Sequence, residues 1–206
     1  MTERTIDAVV FDIGGVLLDW SPDYLYADLI PDEHERTRFL TEVTTPAWNH
    51  QQDAGRPWSE AVAELKSLHP QHADLIEAYD TGWLTMVKGV FEDTAAVITE
   101  IRALGIPTYA LTNFSAEKWE VAQEAFPILT RFDGEIVSGV EQTVKPDAKI
   151  YRILLERFHL DAARTFYTDD TQYNVDGARA VGLDAELFTG AADLRDQLRA
   201  RGIALQ

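Results

Sequence analysis

Five short apolar runs, separated by stretches with helical periodicity, place the strongest limit on what this chain can fold into. The runs are AVVF at Ala8–Phe11, TYAL at 108–111, EIVS at 135–138, TFYT at 165–168 and AELF at 185–188. The first ends at Asp12 and a Gly14–Gly15 pair, so it reads as a buried strand that stops at a glycine turn. Helical patterns fill 93–104, 116–126, 148–158, 174–181 and 191–201; the first carries apolar residues at Ala96, Val97, Ile101 and Leu104. Strands alternating with helices imply right-handed βαβ units. The expected fold is therefore α/β, with a parallel sheet of five or more strands covered on both faces.

The interval 19–88 breaks that alternation. Apolar residues recur at helical spacing in 24–29, 33–43, 58–68 and 73–84, and the stretch contains no convincing strand. About 70 residues of helix are far too many for an ordinary crossover. They predict a helical cap over 19–88, inserted into a core made of 1–18 and 89–206. The 206 residues, 46% of them hydrophobic, are enough for one such core plus a small insert.

Charge and composition narrow the function. A formal net charge of −17 disfavours nucleic acid and anionic membranes as partners. The absence of cysteine excludes disulfides, thiolate zinc sites and cysteine nucleophiles. The N-terminus MTERTIDAVVFD does not read as a signal peptide, and no apolar stretch approaches the roughly 20 residues that span a bilayer. A soluble, cytoplasmic protein is expected, as a monomer or homodimer.

In an open parallel sheet, ligands bind beyond the carboxyl ends of the strands where strand order reverses. Asp12 follows the first run, Thr112 and Asn113 the second, Lys145–Pro146 the loop after the third, and Asp169–Asp170 the fourth. These types suit phosphoryl transfer. A carboxylate attacks phosphorus, and a hard cation held by Asp12, Asp169 and Asp170 relieves the repulsion among the anions. Thr112 and Asn113 donate to the phosphoryl oxygens, and Lys145 adds positive charge beside Asp12.

The segments VVFDIGGVLLDW, ALTNFS, VKPDAKIY and FYTDDTQYNVDGARAVGL, in that order and spacing, resemble the haloacid dehalogenase (HAD) superfamily. With the cap they cover nearly the whole chain. The insert lies where the helical-cap class carries its cap, and the DIGGVL variant is most similar to the branch of bacterial α-glucose-1-phosphate phosphatases. The resemblance implies a Rossmann-like core and a Mg²⁺-dependent phosphatase working through an aspartyl phosphate. Its substrate would be a small phosphorylated metabolite, with a sugar phosphate suggested by the branch. Asp12 would be the nucleophile and a Mg²⁺ ligand, the Gly14 carbonyl and Asp170 further ligands, and Asp169 a ligand directly or through water. Thr112 and Asn113 would hold phosphate, and Lys145 would orient Asp12.

One position departs from the pattern. Most superfamily phosphatases carry an acid–base Asp two residues after the nucleophile, and here that residue is Gly14. Asp19 and Asp53 are the candidates to replace it. The segment 48–56 (WNHQQDAGR) has two readings: a site-facing stretch in which Asn49, Asp53 and Arg56 meet the substrate, or a helix junction with Trp48 in the core. Trp20 reads as packing, Asn174 as a helix cap, and the five histidines as surface residues. Two other functions fit the same residues. A 2-haloacid dehalogenase also begins with Asp attack and also lacks the second Asp, but it uses no metal and needs a cap arginine, for which Arg36 and Arg38 are candidates. A phospho-ligand binder would bind without turnover.

Overall fold

The computed structural model describes residues 6–206. In chain order the elements are β1 (Ala8–Phe11), β2 (Leu18–Trp20), α1 (Pro22–Leu29), α2 (Glu33–Glu42), α3 (Pro46–Asp53), α4 (Trp58–Leu68), α5 (Ala73–Thr81), β3 (Val87–Val90) and α6 (Glu92–Ala103). There follow β4 (Thr108–Thr112), α7 (Ala116–Ala125), β5 (Gly134–Val137), α8 (Ser138–Glu141), α9 (Ala148–Arg157), β6 (Thr165–Asp169), α10 (Gln172–Ala180), β7 (Asp184–Leu187) and α11 (Ala191–Ala200). The five expected strands form one parallel sheet in the order β5-β4-β1-β6-β7. The chain leaves β1 on one side to build β4 and β5, and later returns to the other side for β6 and β7. Strand order therefore reverses at β1, which makes its carboxyl end the expected ligand crevice.

Side-chain alternation along β1 divides the core. Val9 and Phe11 belong to one buried layer, with Val97, Ile98 and Ile101 of α6 and Leu194 and Leu198 of α11. Ala8 and Val10 belong to the other, with Ile150, Tyr151 and Leu154 of α9 and Val175 and Ala178 of α10. A strand buried on both faces reads as a continuous apolar run, as AVVF does.

Five helices lie between β2 and β3, where four were expected. The additional one is α3, which the mixed composition of 48–56 conceals. Its start signal is local: Pro46 opens the helix, and the Thr45 hydroxyl accepts a hydrogen bond from the Trp48 N–H at 3.1 Å. The structure also corrects the strand-free reading of 19–88. Leu18–Trp20 and Val87–Val90 pair as an antiparallel ribbon that joins the two connections between the helices and the core. Strands of three and four residues, about 70 positions apart, leave no periodic signal for a sequence reading to find.

The cap helices pack around an aromatic cluster. Trp58 stacks on Tyr79 with centroids 5.7 Å apart and meets Trp48 edge-on at 5.6 Å, while Tyr26 contacts Tyr79 and Phe39. Edge contacts of this kind add to the burial of large rings. His72 joins the cluster edge-on against Phe39, so it is not a plain surface residue. The cap is tied to the start of α7. Trp58 Nε1 donates to Ser115 Oγ at 2.8 Å, the Trp58 N–H donates to Glu117 at 3.0 Å, and Lys118 pairs with Asp80. Among the described residues, no helix is long and apolar enough to cross a membrane.

Leu154 is fully buried beneath the sheet. Leu154→Ala should cost about 2–5 kcal/mol of stability, read as a lowered urea midpoint; an unchanged midpoint would show that this layer is not packed as described.

Candidate active site

The carboxyl ends of β1, β4 and β6 bring Asp12, Thr112 and Asp169 to one edge. Lys145 comes from the loop after α8 and is buried there, only 1% exposed. Its ammonium lies 2.8 Å from Asp12 Oδ1 and 2.6 Å from Asp169 Oδ2, and donates to the Leu111 carbonyl at 3.2 Å. The Lys145 backbone is clamped as well: its N–H donates to Asn113 Oδ1 at 2.8 Å, and Asn113 Nδ2 donates back to its carbonyl at 3.1 Å. On the other side, α10 approaches closely at Gly177, where a Cβ would lie 2.8 Å from the Pro146 carbonyl oxygen. Only glycine lets the helix press this near the loop.

Asp169 is saturated with donors. Lys145, the Tyr167 hydroxyl, the Thr171 N–H and Asn174 Nδ2 all point at it. Asn174 is therefore not a helix cap; Thr171 holds that position, and Asn174 is buried against Asp169. Asp12 Oδ1 accepts from the Ile13 N–H at 2.7 Å and from Lys145. No hydrogen bond to Asp12 Oδ2 is found among the described residues, which leaves that oxygen available to attack.

Asp12, Asp169 and Asp170 bring carboxylate oxygens within 4.8 Å of one another. Burial first, then the charge of Asp169, pushes the Asp12 carboxyl up to about 7 against the pull of Lys145. Asp170 is raised by burial and by Asp169. For Asp169 burial raises the pKa too, but Lys145 and its other donors outweigh that and hold it below the ordinary carboxylate value. Three carboxylates this close repel one another, and their hard oxygens are the donor set that a divalent cation takes. Gly15 supports the same fit: its φ is +71°, and a Cβ there would lie 2.1 Å from Asp170 Oδ2. The turn can pass the Asp170 carboxylate only as glycine. The cluster can therefore hold a divalent cation.

Facing this edge is a cavity between cap and core, about 500 Å³ including its open mouth. Leu18, Trp20, Trp58, Trp83 and Phe114 form its apolar walls. Its polar lining comes from Gly14, Asn49, Asp53, Asn113, Ser115 and Lys118. Trp20 is thus a wall of the site as well as a packing residue. Of the three cap candidates, Asn49 and Asp53 line the cavity. Arg56 does not; it bonds Gln51 at 2.9 Å and pairs with Glu64. Trp48 lies in the cap core, so residues 48–56 divide between the two readings. Asp19 accepts a hydrogen bond from Tyr24 at 2.8 Å and lines no part of the cavity. The Asn113 side chain is committed to the Lys145 backbone, so only the main chain of that residue is left to meet a ligand.

Residues 6–182 match the family of haloacid dehalogenase-like hydrolases. The chain is 27% identical over 195 residues to the sesquiterpene phosphatase astK of Aspergillus oryzae, covering 87% of this chain and 88% of that one. Among solved structures it resembles a HAD family enzyme of Bacteroides thetaiotaomicron in its magnesium complex, with a TM-score of 0.74 at 17% identity over 95% of this chain and 100% of that one. It also resembles the L-2-haloacid dehalogenase of Xanthobacter autotrophicus, with a TM-score of 0.62 at 18% identity over 97% and 85%.

A carboxyl held protonated near neutrality must lose its proton before it can take a cation. A divalent cation should therefore bind more weakly at about pH 6 than at about pH 8, with proton release, in calorimetry run in buffers of different ionisation enthalpy. Affinity independent of pH across that window would contradict the raised Asp12.

Proposed function

The chain belongs to the haloacid dehalogenase-like hydrolases, enzymes by family, and on that premise we propose that it hydrolyses phosphate monoesters with Asp12 as nucleophile. The observation that carries this reading is the buried Lys145 bridging Asp12 and Asp169, with Asp170 beside them. The ammonium orients one Asp12 oxygen and leaves the other for phosphorus. The Thr112 hydroxyl and the Asn113 backbone N–H donate to the phosphoryl oxygens as charge builds on them. Asp12, Asp170 and the Gly14 carbonyl would hold Mg²⁺, with Asp169 behind them, and the ion would supply the positive charge that lets an anionic nucleophile meet an anionic ester. Attack forms an acyl phosphate on Asp12, which water then cleaves.

The dehalogenase reading fits less well. It would place a carboxylate substrate beside Asp12, Asp169 and Asp170 without a cation, and no arginine among the described residues lines the cavity. The cavity also bears on the substrate. The branch resemblance favours a sugar phosphate, but a polyhydroxylated sugar needs many polar partners and the walls here are three indoles, a phenyl ring and a leucine. Those walls support an apolar or aromatic organic group on the phosphate. The sesquiterpene phosphatase among the relatives points the same way.

Phosphate release should require Mg²⁺ and stop with EDTA, and Asp12→Asn should reduce it to background. Across a panel, kcat/KM for aryl and isoprenoid monophosphates should exceed that for glucose 1-phosphate. Turnover that survives Asp12→Asn would defeat the mechanism, and a preference for the sugar ester would defeat the substrate assignment.

A further inference from the structure

The phosphatase reading leaves one proton transfer without a residue, because Gly14 cannot give or take a proton. We propose that Asp53, carried by the cap at the end of α3, is the general acid and base of the reaction. The inference rests on the phosphatase reading and adds a catalytic residue to it.

Placement argues for Asp53. It lines the aromatic cavity that reaches Gly14 and Asn113, and it also lines the neighbouring groove that reaches Lys145 and Pro146. Among the described residues it is the only carboxylate lining that cavity. A Cβ at Gly14 would meet nothing within 4 Å, so the space on that side of the nucleophile loop is open to a leaving group. Asp53 is also held in place. Asn49 Nδ2 lies 3.4 Å from its Oδ2, and its carbonyl accepts from the Ser138 hydroxyl. That last bond ties the end of α3 to the core, so the cap presents the carboxyl at a fixed position.

The charged and titratable groups that line the cavity and groove with it are Lys145 of the core loop, Lys118 of α7, Tyr79 of α5, Asp23 of α1, Tyr173 of α10 and His50 of its own helix. Burial outweighs the Ser115 N–H and Lys145 and pushes the carboxyl up to about 7. A group near that value can both donate and accept at neutral pH.

The proton balance closes over one cycle. As Asp12 Oδ2 bonds to phosphorus and the ester P–O bond breaks, the Asp53 carboxyl gives its proton to the departing oxygen and an alcohol leaves. Water then attacks the phosphorus of the aspartyl phosphate and gives its proton to the Asp53 carboxylate. The bond to Asp12 breaks, phosphate leaves, and both carboxyls return to their starting states.

The test is leaving-group dependence in Asp53→Asn. An alkyl monophosphate needs a proton on its leaving oxygen, whereas 4-nitrophenyl phosphate does not. For the alkyl ester, kcat/KM should fall by about 10²–10⁴-fold, and for the nitrophenyl ester by less than about tenfold. With the nitrophenyl ester the variant should also release a burst of about one nitrophenolate per chain and then turn over slowly, because its second step lacks a base. Equal losses on the two esters, or no loss on either, would overturn the proposal. Asp53→Ala, read by the same ratio, serves if the Asn variant does not fold. If the wild-type protein releases phosphate from neither ester with Mg²⁺ present, the phosphatase reading itself fails; a working wild type with a flat ratio in the variant removes only Asp53.

Discussion

The buried Lys145 ammonium organises the structure. Removing a lone ammonium from water costs several kcal/mol, and the fold offsets this only by bringing carboxylates to it. Asp12 ends the central strand, Asp169 ends the next, and the Leu111 carbonyl comes from the third. Three strand ends thus converge on one positive charge. The cost of misplacing any of them is an unpaired ion in the interior. This explains how much scaffolding surrounds a single side chain: Asn113 clamps its backbone, Gly177 lets α10 press on the following proline, and Tyr167 and Asn174 complete the shell of Asp169.

Most of that arrangement is legible in the sequence, because it sits where a parallel sheet must place ligands. Asp12, Thr112, Asn113 and Asp169–Asp170 stand at strand ends, which topology alone brings together, and Lys145 lies on the loop beyond β5 and α8. What the sequence conceals is side-chain direction. Asn113 looks like a phosphate ligand, yet its amide turns to Lys145. Asn174 looks like a cap, yet it donates to Asp169. Arg56 looks like a substrate contact, yet Glu64 and Gln51 hold it. In each case the residue type was informative and its partner was not, since the partner lies on another element. The β2–β3 ribbon was hidden for a different reason: its stability comes from a long-range pairing of segments too short to show a period. Only α3 left a local clue, the Thr45–Pro46 start, which the mixed composition beyond it obscures.

A chain of net charge −17 that hydrolyses an anionic ester, as proposed, needs local positive charge in its site. Beside the cavity and groove, positive charge lies on buried Lys145 and on Lys118 paired with Asp80, and a cation held by the acidic cluster would add to it. The apolar walls of the cavity are largely aromatic. Binding would then divide between a small charged pocket for phosphate and apolar walls for the organic group, with Asp53 at the junction. The same helix that closes the aromatic cluster carries Asp53, so cap packing and proton transfer depend on one element.

In the proposed cycle Asp12 forms a covalent bond to phosphorus. Acid quench of the enzyme with an aryl monophosphate and Mg²⁺, at times shorter than one turnover, followed by peptide mass spectrometry, addresses it most directly. A phosphoryl group on Asp12 is predicted, absent from Asp12→Asn. A phosphoryl group on any other residue, or an unmodified chain at every quench time while phosphate accumulates, would contradict it.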